Sequence, residues 1–150
     1  MKRIDNHTDV FESDSERVLE SLEKWKPRSF QMTEKQHEQD LQKWLEECLL
    51  GVPIVAQYGI AKGKADLVIQ DSHVIELKLG FTDENLAEFD RCIGQLERYR
   101  QKWVNHDRGP VYLVVVGKSE TEFRHMLHEA FEQLNRGFVN QWFFLVEKQG

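Results

Sequence analysis

The sequence predicts an α/β domain with a mixed β-sheet flanked by helices, and three observations carry that expectation. Three short apolar runs, Ile54–Ile60, 65–69 and 74–79, are separated by turn residues and read as an antiparallel meander. Val111–Val116 is a continuous apolar run, the pattern of a strand covered on both faces. The long amphipathic stretch between them makes a strand–helix–strand crossover, which sets the strand at Val111 parallel to the one at Val74.

Residues 1–30 read as an extension and residues 31–150 as the domain. In the extension, Asp14-Ser15 caps a short helix that carries Val18, Leu19, Leu22 and Trp25 at helical spacing and ends before Pro27. Such a helix packs on the domain or on a partner subunit. Thr33 caps a second helix reaching residue 50, with Leu41, Trp44, Leu45, Cys48 and Leu49 on one stripe. Gly51-Val52-Pro53 stops it. Gly59, Lys62-Gly63-Lys64 and Asp71-Ser72 punctuate the three strands. Residues 83–104 form a long helix with Leu86, Phe89, Ile93, Leu96 and Trp103 as its buried seam. Ser119 caps another helix, to about residue 135, along Phe123, Met126, Leu127, Ala130, Phe131 and Leu134. Gly137 ends it, and residues 138–146 supply a final strand, interrupted near Gln141. From Thr33 onward the order is αβββαβαβ.

A 150-residue chain buries roughly 68–70% of its unfolded surface and folds without staples. No run approaches the ~18 apolar residues of a membrane helix, so no membrane partner is expected. The opening MKRIDNHTDVFESDSERV starts with the basic pair Lys2-Arg3 but has no apolar core behind it, unlike a secretory leader. Cys48 and Cys92 give neither a disulfide framework nor a zinc knuckle; both read as core, and a cytoplasmic location is expected. The net charge of −6 argues against coating nucleic acid by bulk electrostatics. Residues 51–118, however, balance nine basic against nine acidic side chains, and four of those bases fall between Arg91 and Lys102. Any nucleic-acid face is therefore local.

The chemistry centres on Asp66 and on Glu76-Leu77-Lys78. Glu76 and Lys78 are two apart on a strand, so their side chains leave the same face. Pairing of the second and third strands through a short turn brings Asp66 beside Glu76. Two carboxylates on a half-buried face repel each other and resist ionisation unless the lysine or a divalent cation neutralises them. Oxygen ligands suit Mg²⁺, with Mn²⁺ as substitute, and the lysine can orient an attacking water or stabilise charge on a phosphate. Such a site is suited to phosphodiester hydrolysis.

Asp66, nine intervening residues and Glu76-Leu77-Lys78 resemble the D-x(n)-(D/E)-x-K signature of the PD-(D/E)xK phosphodiesterase superfamily, over about residues 33–146. The resemblance implies a restriction-endonuclease-like αβββαβ core plus a further helix and strand. It also implies Asp66, Glu76 and the Leu77 carbonyl as metal ligands, Lys78 serving the attacking water, and DNA as substrate. The family often adds a glutamate from the first helix, here Glu38 or, one turn earlier, Glu34. Gln95-Leu96-Glu97-Arg98-Tyr99 matches the Q-x-x-x-Y motif of nucleases similar to the exonuclease domain of bacterial recombination helicases, where the glutamine and tyrosine help position the DNA and the active-site water. Ala65 stands where the signature's name has proline. Many small members of the superfamily act as homodimers, a role the extension could serve.

Arg91, Gln95, Arg98 and Lys102 form one polar helix stripe that could track a phosphate backbone; Lys62 and Lys64, in the turn beside Asp66, could touch phosphates too. Gly59–Gly63 lacks nucleotide-binding loop spacing, and no organic cofactor is expected. His125 and His128 have no third ligand nearby and read as a surface pair. The strand segment Trp142-Phe143-Phe144 reads as core. Two other readings stand beside hydrolysis. One is a module of the same fold that holds nucleic acid or protein without cutting. The other is an unrelated small-molecule domain in which Glu76 and Lys78 make a solvated surface pair, and exposure separates it from the rest.

Overall fold

The computed structural model describes residues 7–149, with side chains from Asp14 onward; the first six residues of the extension lie outside the described residues. The elements are α1 (His7–Lys24), α2 (Glu34–Cys48), β1 (Ile54–Ile60), β2 (Gly63–Ile69), β3 (His73–Leu79), α3 (Leu86–Lys102), β4 (Val111–Val116), α4 (Thr121–Asn135) and β5 (Phe143–Lys148). The strands lie side by side in chain order in one five-stranded sheet. β1, β2 and β3 pair antiparallel, whereas β3, β4 and β5 run parallel, so the fold is the mixed α/β sandwich the sequence predicts.

Four helices cover the two faces. Leu67, Ile69, Ile75, Leu77, Tyr112 and Val114 pack against Val18 and Leu22 of α1, Trp25, and Leu41, Leu45 and Leu49 from α2 and its C-cap. Val68, Val74, Val111, Leu113 and Val115 pack against α3 and α4 on the other side. β4 is buried along its whole length, as its unbroken apolar run requires. The α1 layer is tied down by the Trp44 indole, which donates to the Ser21 carbonyl at 2.8 Å, and by Trp25 packed edge-on against the buried His37.

Thr33 caps α2 as expected, in a reciprocal box with Gln36. Other details depart from the sequence reading for identifiable reasons. α1 already begins at His7, so Asp14 and Ser15 lie inside it, where Asp14 faces Arg17 one turn on. The α2 stripe runs through Leu41, Leu45 and Leu49, which leaves Cys48 exposed. Residues 83–85 form a 3-10 turn ahead of α3, whose seam is Phe89, Cys92, Leu96 and Tyr99, continued by Trp103; Leu86 is exposed and Ile93 half-buried. Ser119 does not cap α4: its hydroxyl accepts the Phe81 N–H at 2.9 Å, tying the ends of β3 and β4 together. β5 starts only at Phe143, because the Asn135 carboxamide oxygen takes the N–H groups of Trp142 and Phe143 and holds the preceding residues as a loop. Met126 faces solvent, and His125 and His128 are exposed.

Two glycines separate close packing from chain flexibility. A Cβ on Gly80 would lie 2.5 Å from the Lys118 carbonyl oxygen, a backbone atom with no freedom to yield. A Cβ on Gly94, in the middle of α3, meets nothing within 4 Å. Gly80→Ala is therefore expected to cost about 1–3 kcal/mol, and Gly94→Ala to stabilise by roughly 0.5–1 kcal/mol. Urea unfolding of the two variants checks both signs.

Candidate active site

The site begins where a ladder ends. β2 and β3 pair at Leu67↔Ile75, Val68↔Val74 and Ile69↔His73, and stop one step short of Asp66 opposite Glu76. Beyond that point β2 pairs only with β1, and β3 only with β4. The sheet forks there. Backbone donors inside a fold need acceptors, and the two at the crotch of the fork find carboxylates. The Asp66 N–H donates to Glu76 Oε2 at 3.0 Å, and the Leu77 N–H donates to Asp66 Oδ2 at 2.8 Å. Each strand's acid thus caps the other strand's backbone.

Because the sheet is open, both helical layers reach this point. From α3, the Tyr99 hydroxyl donates to Glu76 Oε2 at 2.6 Å and accepts from the Gln95 carboxamide at 3.1 Å. From α2, Glu38 approaches Asp66 and accepts from Gln57 Nε2 at 2.9 Å, while Glu34 stands 4.0 Å from the Lys78 ammonium. The choice between Glu34 and Glu38 dissolves, since the two lie one helical turn apart and both face the fork. Glu76 is only 2% exposed, which removes the reading of Glu76 and Lys78 as a solvated surface pair.

The electrostatics follow from packing Glu34, Asp66 and Glu76 around Lys78, with Glu38 beside Asp66. Burial, then the neighbouring Asp66, pushes the Glu76 carboxyl up to about 8 despite the hydrogen bond from Tyr99. Burial raises Asp66, Glu38 and Glu34 as well. Lys78 loses hydration, which disfavours its charge, yet Glu34 and Glu76 outweigh that and hold its pKa above the ordinary lysine value. Cys92, behind Glu76, is pushed up to about 12 by burial and stays a thiol.

The chain matches no protein-family model, no curated protein and no solved structure.

Among the described residues no three His, Cys, Asp or Glu side chains converge as a finished metal cage. The donor set fits a different arrangement. Asp66 spends one oxygen on Leu77 N–H, and Glu76 gathers both of its donors on Oε2. Glu76 Oε1 takes neither of these bonds, whereas Asp66 also shares a side-chain hydrogen bond with Glu38, so a hard cation here would displace that contact and keep most of its waters, the usual mode for Mg²⁺. A cation there would take the place of the proton that burial holds on Glu76.

The basic residues bracket the fork. Lys62 and Lys64 are exposed in and beside the β1–β2 turn, and Arg98 Nη1 lies 3.6 Å from the Cβ position at Gly63, the first residue of β2. Lys102 is exposed farther along α3. Arg91 lies toward the other end of α3, ion-paired with Glu88, which in turn lines a cavity with Glu34. Tyr99 is buried with its hydroxyl given to Glu76, so it acts on the carboxylate and not on a substrate surface. Gln57 was not legible as a site residue.

Above pH 6.5 the sign of the pH dependence is set by Glu76; below it the buried His73, held down to about 4, and His37, also lowered by burial, act in the opposite direction. The unfolded chain releases the Glu76 proton near 4.5 and the folded protein only near 8, so through this group the folded state binds more protons and loses stability as pH rises. Lys78 contributes nothing to the slope there, because its stabilisation is lost only above its ordinary value of 10.5. Thermal melts in chelator are expected to fall from pH 6.5 to pH 8, the range above the ordinary histidine value of 6.5. Glu76→Gln keeps an acceptor for Asp66 and Tyr99, and is expected to flatten that fall and raise the pH 8 melting point.

Proposed function

We propose that the protein is a Mg²⁺-dependent nuclease, with Mn²⁺ as substitute, that hydrolyses phosphodiester bonds of DNA on a restriction-endonuclease-like fold of the PD-(D/E)xK type. The observation that carries this reading is the forked sheet, in which Asp66 and Glu76 cap opposing strands with Lys78 on the same strand end. Asp66, Glu76 and the Leu77 carbonyl would hold the cation. A cation held there would supply Lewis acidity for attack of water on the phosphodiester.

The chain's own residues do the rest. Lys78, kept charged by its acid neighbours, donates hydrogen bonds to the attacking water and offsets charge building on the phosphate. Glu38 supplies a further carboxylate from α2. Tyr99, held by Gln95, fixes the Glu76 carboxylate through its 2.6 Å hydrogen bond, a supporting contact of the kind that orients metal ligands. Lys62, Lys64, Arg98 and Lys102 on one side and Arg91 on the other hold the phosphate backbone, which a chain of net charge −6 needs locally. Described helices include none long and apolar enough to cross a membrane, and a cytoplasmic location belongs to this proposal.

A panel of linear, circular, single-stranded and branched DNA, incubated with Mg²⁺ or Mn²⁺, tests the reading. Metal-dependent cutting is expected, reduced about 10²–10⁴-fold by Glu76→Ala and by Lys78→Ala. Tyr99→Phe, which removes only a supporting contact, is expected to lose about 10-fold. No cutting of any substrate with either metal overturns the proposal.

A further inference from the structure

Gln57 lies in the middle of β1 with φ +54, a left-handed backbone that residues bearing a Cβ avoid. Glycine is the ordinary occupant of such a position, yet β1 carries its glycine two residues on, at Gly59. The consequence for the sheet is visible on both sides of it. Ala56↔Leu67 and Tyr58↔Ala65 are paired, and the step between them, Gln57 opposite Asp66, is not. Side-chain alternation breaks at the same place: Ile54 packs in the α1–α2 layer, whereas Tyr58, four residues later, packs in the α3–α4 layer. The Gln57 side chain then donates to Glu38 Oε1 at 2.9 Å, on a carboxylate that is 7% exposed and neighbours Asp66. Strained non-glycine backbones persist where the surroundings over-determine them, and they cluster at functional sites.

We propose that Gln57 is a positioning residue of the active site, whose left-handed backbone opens the β1–β2 ladder at Asp66 and whose amide fixes the Glu38 carboxylate beside it. This rests on the nuclease reading, in which Glu38 assists from α2. A glycine would relieve the backbone but has no amide to offer, so the two roles separate by substitution.

Gln57→Ala and Gln57→Gly both delete the amide, and only glycine relieves the strain. In Mn²⁺-supported DNA cleavage, kcat is expected to fall about 10-fold in both, with KM for DNA unchanged. Gln57→Gly is expected to melt about 2–4 °C above Gln57→Ala. In a Glu38→Gln background neither variant lowers kcat further. Wild-type kcat in Gln57→Ala, or an undiminished further loss on top of Glu38→Gln, overturns the positioning role. Equal melting of the two variants overturns the strained-backbone half. A wild-type protein that neither binds Mn²⁺ nor cuts DNA overturns the nuclease reading and this inference together, whereas an active wild type indifferent to Gln57 overturns the inference alone.

Discussion

Two side chain–backbone hydrogen bonds, Asp66 N–H to Glu76 and Leu77 N–H to Asp66, are the contacts on which the rest of this structure turns. They stand in for the ladder bonds that β2 and β3 stop making after Leu67↔Ile75. Without them two backbone donors would be left unsatisfied inside the sheet, at a cost of roughly 1–3 kcal/mol each. With them the sheet stays open at one end while its strands remain joined to β1 and β4. The opening is what lets α2 and α3, which cover opposite faces, bring side chains to one point. The same carboxylates that hold the strands together are, in the proposed nuclease, also its chemistry.

That dual use explains the electrostatic state of the site. An acid that caps a backbone N–H in a buried place is well hydrogen-bonded, and those bonds favour its charge. Desolvation and the neighbouring Asp66 nonetheless prevail at Glu76 over the opposing charge of Lys78. Tyr99 and Gln95 form a neutral chain of donors leading to Glu76, and that adds orientation without adding charge. The folded protein thus carries a frustrated cluster at the end of an otherwise apolar sandwich. Strain concentrated at one place in a consistent fold is the usual mark of a working site.

Much of this was legible in the amino-acid order, and the reasons for the exceptions are physical. Ile54–Ile60 and Val111–Val116 were readable to the residue, because apolar runs bounded by Gly, Pro, Asp and Lys leave little choice. The convergence of Asp66, Glu76 and Lys78 followed from strand period and a short turn. The phase of α3 was readable in part: Phe89, Leu96 and Trp103 are buried as its apolar spacing predicts, and Cys92 is core as expected. Leu86 and Ile93 carry the same apolar signal but sit at the margin, exposed and half-buried, while the polar-looking Tyr99 turns inward, where its hydroxyl meets Glu76. Ser119 has the same sequence signature whether it caps a helix or bridges to Phe81, and only the approach of β3 and β4 decides. Gln57 gave no sign at all, since a polar residue on an edge strand is ordinary and a left-handed φ leaves no trace in a sequence without glycine at that place.

Calorimetric titration of the metal-free protein with Mn²⁺, repeated in two buffers of different ionisation enthalpy, tests most directly whether the fork is built for a cation. The protons that burial keeps on Glu76 and its neighbours have to leave when a cation takes their place. The expected result is saturable binding with proton release, tighter at pH 8 than at pH 6, and lost in Glu76→Gln. Absence of binding, or binding with no released proton and no dependence on Glu76, would contradict the account.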